Sequence, residues 1–212
     1  MRAQPYQKLA PSLLGHMKRF AVRPLPVVLV HGREGTAWVW TPLRAALGQA
    51  GFRPVLGVDD KYVEAGLDEL AAEVARRSFL AMAASGTGAV HLVGHGLGGV
   101  VVEQLATTGP LTGLTATAVT VASPHWGTSL RQAPSTRWVA YFTDQDRVAS
   151  PRTARLSGRG LDVTNHLIPG CGHLALCRDA RLVRSVVREL TRSGNPAAPG
   201  MLAPPATFAR AA

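Results

Sequence analysis

The residues Val90-His91-Leu92-Val93-Gly94-His95-Gly96-Leu97-Gly98-Gly99 hold the densest chemical signal in the chain. An uncharged, β-type run enters a glycine-rich turn, and Leu97 opens a helical pattern. In G-x-S-x-G elbows such a strand feeds a sharp turn whose middle residue is strained and exposed. The flanking glycines let helix and strand approach, and the next backbone N–H serves a developing oxyanion. Gly94-His95-Gly96-Leu97-Gly98 has both outer glycines, but its middle residue carries no hydroxyl. A serine acyl-ester route is therefore closed at this position. Glycine also relaxes a strained positive-φ turn by roughly 1–3 kcal/mol, so the replacement is easy structurally and decisive chemically. Cys171 and Ser123 do not sit on a turn with a helix behind it, and neither is expected to supply the nucleophile. Cys171, His173 and Cys177 spell C-x-H-x3-C without a fourth ligand nearby, so no metal site is expected.

The pattern around this turn alternates strands and helices. Val27-Val28-Leu29-Val30 reads as a buried strand, bounded by Pro26 and Gly32. Helical spacing runs from Trp38 to Ala50, and residues 52–58 are strand-like. Leu67 to Ala84 forms an amphipathic helix with Leu67, Leu70, Ala71, Val74, Ser78 and Ala81 near one face. Strand 89–93, a helix from Leu97 to Thr108, strand 115–122, a long loop and strand 137–143 follow. A strand near 162–168 leads into a last helix over 178–192, striped by Leu182, Val183, Val186, Val187 and Leu190. This order predicts an α/β fold with a mostly parallel sheet flanked by helices. The domain should span 24–192, after a basic, loosely helical leader over 1–23 and before a disordered Pro/Ala-rich tail over 193–212.

With these elements in place, the chain resembles the small bacterial lipases and esterases of the α/β-hydrolase fold, over roughly residues 25–192. Strand 27–30 followed by His31-Gly32 looks like the family's HG oxyanion turn. Gly94 to Gly99 looks like its G-H-S-x-G-G elbow with glycine in place of serine. Asp146, in Asp144-Gln145-Asp146-Arg147-Val148, looks like the triad acid, with Asp144 as its competitor. His173, in Gly170-Cys171-Gly172-His173-Leu174, looks like the triad base. Val119 to Thr128 resembles the family's T-P-x-x-G-T segment. The resemblance implies a minimal α/β-hydrolase without a large cap domain. It also implies a His173–Asp146 dyad and oxyanion donors in the N–H groups of Arg33 and Leu97. Trp38, Trp40, His125 and Trp126 are the candidate pocket residues, with core or loop packing as the alternative. His31 and His95 are expected to be buried and hydrogen-bonded.

The chain has 212 residues, 46% of them hydrophobic and 17% charged, which suits one globular domain. No apolar run approaches the ~18 residues of a membrane span. Lys and Arg total 23 against 13 acids, and 20 of the 23 cations are Arg, so nucleic-acid binding must be weighed. Few aromatics, no zinc spacing and no isolated basic helix favour an Arg-rich solvated surface instead. Arg147, Arg152, Arg155 and Arg159 crowd the segment beside the expected acid. Their default reading is a solvated face; the sharper one is an anionic substrate or an acidic carrier protein delivering a thioester. No phosphate-binding loop and no G-x-G-x-x-G after a strand are expected, so no cofactor is implied. The N-terminal cations lack a secretory apolar core, which points to a cytoplasmic address, or a secreted one if a signal segment was removed. The two cysteines are then expected to be reduced.

Three functions fit this reading. The first is a repurposed enzyme whose dyad and oxyanion hole perform cyclisation, elimination or water attack on a carbonyl, ester or thioester. The second is a serine esterase or lipase whose nucleophile was mutated to glycine. The third is a non-catalytic relative that binds a lipid, a small molecule or a partner protein.

Overall fold

The computed structural model describes residues 24–33, 35–126, 130 and 135–193. The leader over 1–23 and all but the first residue of the expected tail lie outside them. β1 (Val27–Val30) leads through a 3-10 turn (Ala37–Trp40) to α1 (Thr41–Gln49) and β2 (Val55–Gly57). Next come α2 (Asp60–Ala65), α3 (Leu67–Ser85), β3 (Val90–His95), α4 (Leu97–Thr107) and β4 (Thr115–Val121). β5 (Arg137–Phe142), α5 (Pro151–Ala154), β6 (Val163–Leu167), α6 (His173–Leu176) and α7 (Ala180–Ser193) complete the fold.

The strands form one six-stranded sheet in the order β2-β1-β3-β4-β5-β6, and every pairing is parallel. Parallel strands covered on both faces must be apolar at every position, which is why β1 reads as an unbroken aliphatic run. Val28 and Val30 join Leu70, Val74, Val101, Val102 and Leu105 of α3 and α4 on one face. Val27 and Leu29 join Leu43, Leu47, Leu182, Val186 and Leu190 of α1 and α7 on the other.

The expected long elements are all present, with ends that shift by a few residues. Within α3, Leu70, Ala71, Val74, Ser78 and Ala81 are buried, but Leu67 is 44% exposed, since it opens the helix beside Gly66. The last helix starts at Ala180 and runs to Ser193, one residue into the expected tail. The short helices α2, α5 and α6 have no counterpart in the sequence reading. One turn or two gives too few repeats for a 3.6-residue period to emerge. Among the described residues, no helix is long and apolar enough to cross a membrane.

Candidate active site

β3 ends at His95, and the chain turns at Gly96, with φ 54° and ψ −125°, into the first residue of α4. That backbone region favours glycine and is strained for any side chain. The turn is pinned to the sheet by Gly96 N–H donating to Val121 O at 3.0 Å. The neighbouring glycines are there for contact. A Cβ on Gly94 would collide with Gly98 O, and one on Gly98 would lie 2.5 Å from Val30 O. A Cβ on Gly99 would run into Ser123 Oγ. The start of α4 is thus wedged against β3, the end of β1 and the loop after β4. Leu97 N–H belongs to the first turn of an eleven-residue helix, where amides lack intrahelical acceptors and face the positive end of the dipole.

The expectation that no G-x-G-x-x-G follows a strand is corrected here: Gly94, Gly96 and Gly99 spell these letters of a dinucleotide-binding turn at the end of β3. The match stops at the letters. A dinucleotide site needs an acidic residue about 20 positions on for the ribose, and Val119-Thr120-Val121-Ala122 offers none.

The loops after β5 and β6 bring two further groups together. His173 opens α6, and its Nδ1 lies 2.8 Å from Asp146 Oδ2, with both residues buried. Asp146 Oδ1 accepts the N–H groups of Val148 at 2.7 Å and Ala149 at 2.8 Å. The loop itself therefore fixes this carboxylate as an acceptor. A carboxylate on Nδ1 selects the tautomer that carries its proton there and makes Nε2 the basic nitrogen. Asp144 is placed differently. It is exposed, and its Oδ1 accepts Gly170 N–H at 2.9 Å, tying the β5 and β6 loops together.

His95 is the ring neighbour of His173, with centroids 4.5 Å apart and planes tilted by 54°. Burial pushes the His95 imidazole down to about 3, and the positive charge of a protonated His173 adds to this. His95 is therefore a neutral neighbour. Trp40 packs edge-on to it at 6.4 Å and is only 1% exposed.

A cleft of about 490 Å³ opens at Leu174 and Ala175, the two residues after His173, and is walled further by Arg33, Thr36, Trp38, Val39 and Arg178, while His173 Nε2 itself is buried. Trp38, 56% exposed, carries the Arg178 guanidinium 4.3 Å from its ring centre. Of the four candidate pocket residues, Trp38 alone lines this cleft. Trp40 is a core residue. His125 is buried, with Nδ1 on the Glu103 carboxylate and Nε2 3.1 Å from Thr120 Oγ1. Trp126 is 66% exposed at the end of the described loop. Arg147, Arg152, Arg155 and Arg159 are all exposed and none lines the cleft.

His31 is buried as expected, its Nε2 3.0 Å from Asp60 Oδ1, and the same oxygen accepts Ala37 N–H at 3.0 Å. Asp60 thereby braces both ends of the loop that carries Arg33. Both cysteines are free thiols, and burial pushes the Cys177 thiol well up. Asp60 and Arg178 are not among the residues that the sequence pattern singles out. Asp60 gives a faint signal as an acid opening a short helix, and Arg178 gives none.

No family model matches the chain, and no curated protein matches it in sequence. Solved structures do match it. One is MGS-MChE2, an α/β hydrolase enzyme from a sediment metagenome of the Mar Chica lagoon in Morocco. It is 16% identical with a TM-score of 0.60, over 79% of this chain and 90% of that one. The chain has the α/β-hydrolase fold. XC6422 of Xanthomonas campestris, described as an α/β serine hydrolase without lid, is 19% identical at TM-score 0.59, over 86% and 87% of the two chains. A carboxylesterase of the thaumarchaeon Nitrososphaera gargenis is 13% identical at TM-score 0.57, over 82% and 92%. Identities this low carry an α/β-hydrolase architecture across and leave activity to be argued from the site.

Proposed function

We propose that this chain is a lipase/esterase-like α/β-hydrolase that works without a serine ester, by general acid/base chemistry on a carbonyl or ester-type small molecule. The observation that carries this reading is the buried 2.8 Å contact between His173 Nδ1 and Asp146 Oδ2, next in sequence to Leu174 and Ala175, which line an open cleft. Asp146 orients the imidazole, and His173 Nε2 takes a proton from water or from a substrate O–H or C–H. Water would then attack the carbonyl carbon; a deprotonated substrate would cyclise or eliminate. In each route negative charge gathers on the carbonyl oxygen, and the N–H groups of Leu97 and Arg33 would receive it. A positioned base contributes typically about 10²–10⁴-fold, and each oxyanion donor roughly 10²–10³-fold.

A second reading has one observation in its favour. Gly96 holds φ 54° and ψ −125°, the strained elbow geometry that presents a side chain, although it has none to present. This supports a serine hydrolase frame from which only the hydroxymethyl group is gone.

One paired assay separates the two. Hydrolysis of p-nitrophenyl acetate is followed for the chain, for Gly96→Ser, and for each combined with His173→Ala. Slow, burst-free turnover by the chain, lost by at least about 10²-fold with His173→Ala, is the expected result. Activity that arises only in Gly96→Ser, with an acyl-enzyme burst, transfers the case to the second reading. No activity in any variant overturns both in favour of a binding protein.

A further inference from the structure

We infer that the cleft lined by Leu174 and Ala175, the residues after His173, selects substrates bearing a carboxylate, with Arg178 as the group that receives it. The inference rests on the acid/base reading of the dyad and adds the substrate class. It turns on how the cations of the molecule are spent. Arg137 is held by Asp162 and Glu189, Arg76 and Arg77 by Glu73, and Arg181 by Asp179. Asp179 is the residue next to Arg178, yet its carboxylate lies 2.7 Å from Arg181 Nη2. Among the described residues no carboxylate pairs with Arg178.

The Arg178 side chain instead lies against Trp38, 4.3 Å from the ring centre. Cation–π contact holds a guanidinium in place without neutralising its charge, so its N–H fork stays available. Leu174 and Ala175 connect the dyad to this cation along one wall of the cleft. A second cation, Arg33, lines the same cleft on the opposite loop; its sequence neighbour Glu34 lies outside the described residues. Apart from Thr36, the remaining walls, among them Val39, Leu174 and the indole, are apolar. A planar guanidinium fork beside an apolar wall suits a carboxylate carried on a short hydrocarbon spacer. The anionic preference expected from Arg147, Arg152, Arg155 and Arg159 thus moves to Arg178, because none of those four lines the cleft.

The test is binding, read by tryptophan fluorescence and calorimetry on the full chain. The probes are monomethyl glutarate (anionic), dimethyl glutarate (neutral) and methyl phosphate. Monomethyl glutarate is expected to bind about tenfold or more tightly than the diester, and more tightly than methyl phosphate, with the margin shrinking as salt rises. Arg178→Gln should erase the margin between the two esters; Arg178→Lys should retain part of it. Thermal melts confirm that the variants fold. Equal affinity for the two esters, no binding of either, or a margin that survives Arg178→Gln overturns the inference. Tighter binding of methyl phosphate also overturns it. Turnover keeps the two proposals apart. An Arg178-dependent preference with turnover indifferent to His173→Ala sinks the acid/base reading alone. His173-dependent turnover of the diester without any preference sinks only this one.

Discussion

His173 and His125 are both buried, and both turn Nδ1 toward a carboxylate: Asp146 in one case, Glu103 in the other. The two differ in what surrounds the residue. His125 places Nε2 against Thr120 Oγ1 in the interior and is 1% exposed. His173 is 9% exposed, and the two residues after it line an open cleft. Their carboxylates differ too. Asp146 is clamped by two backbone N–H groups of its own loop, whereas Glu103 reaches His125 from the middle of α4. A His–carboxylate pair therefore has no fixed meaning. Surrounded by the fold it cross-links two elements; next to a cleft it is the base that the proposed chemistry calls for.

The sharpest way to break this comparison is to remove each imidazole in turn. His173→Gln should lower turnover roughly 10²–10⁴-fold and barely move the melting temperature. Asp146→Asn should cost nearly as much activity, because an amide can hold the wrong tautomer. His125→Gln should do the reverse: about 2–3 kcal/mol of stability lost in urea unfolding, with kcat within a few-fold. If His125→Gln abolished activity at full stability, the assignment of roles would have to be exchanged.

Smaller effects probe the ground between the two pairs. Gly99→Ala drives a methyl into Ser123 Oγ and should cost about 1–3 kcal/mol, partly recovered by adding Ser123→Gly. A third kind of buried histidine supplies the contrast in pH. His91 packs edge-on to Phe52 with no carboxylate beside it, and burial pushes it down to about 4. Its unfolded value lies near 6.5, so below that pH the unfolded chain binds a proton that the fold refuses. The His91 contribution is whole above pH 6.5 and is lost as pH falls toward 4, at about 1.4 kcal/mol per unit. His91→Leu should flatten the pH 6.5–4.5 limb of a stability profile by about that slope. Asp144→Asn, at the exposed loop clamp, should change stability by less than about 0.5 kcal/mol and activity not at all.

These contrasts also mark what can be read in the sequence. The order of long strands and helices is legible, because each buried element repeats its apolar residues often enough to declare a period. The elbow is legible because three backbones meet there and only glycine fits. Asp146 and His173 can be named from their surroundings, but not their separation or the clamp that distinguishes Asp146 from Asp144. Trp38 and Trp40 show the limit most plainly. They stand two residues apart on the same turn, one walling the cleft and one buried against His95, and the packing of α6 and β3 decides which is which. Arg178 is illegible for the same reason: its role depends on Arg181 having taken Asp179, and on an indole that arrives from the far end of the chain.

The all-parallel sheet described above governs how the chain comes together in time. No strand pair closes a loop shorter than about 20 residues, and β1 meets β3 only across some 60. Hairpin zippering is unavailable, so loop-closure entropy must be met before the sheet returns any energy, and folding is expected to take milliseconds or longer. On the ribosome, β1 emerges early but waits for its inner partner until the elbow has been made. The elbow is thus also the point at which the sheet first closes on both sides of β1.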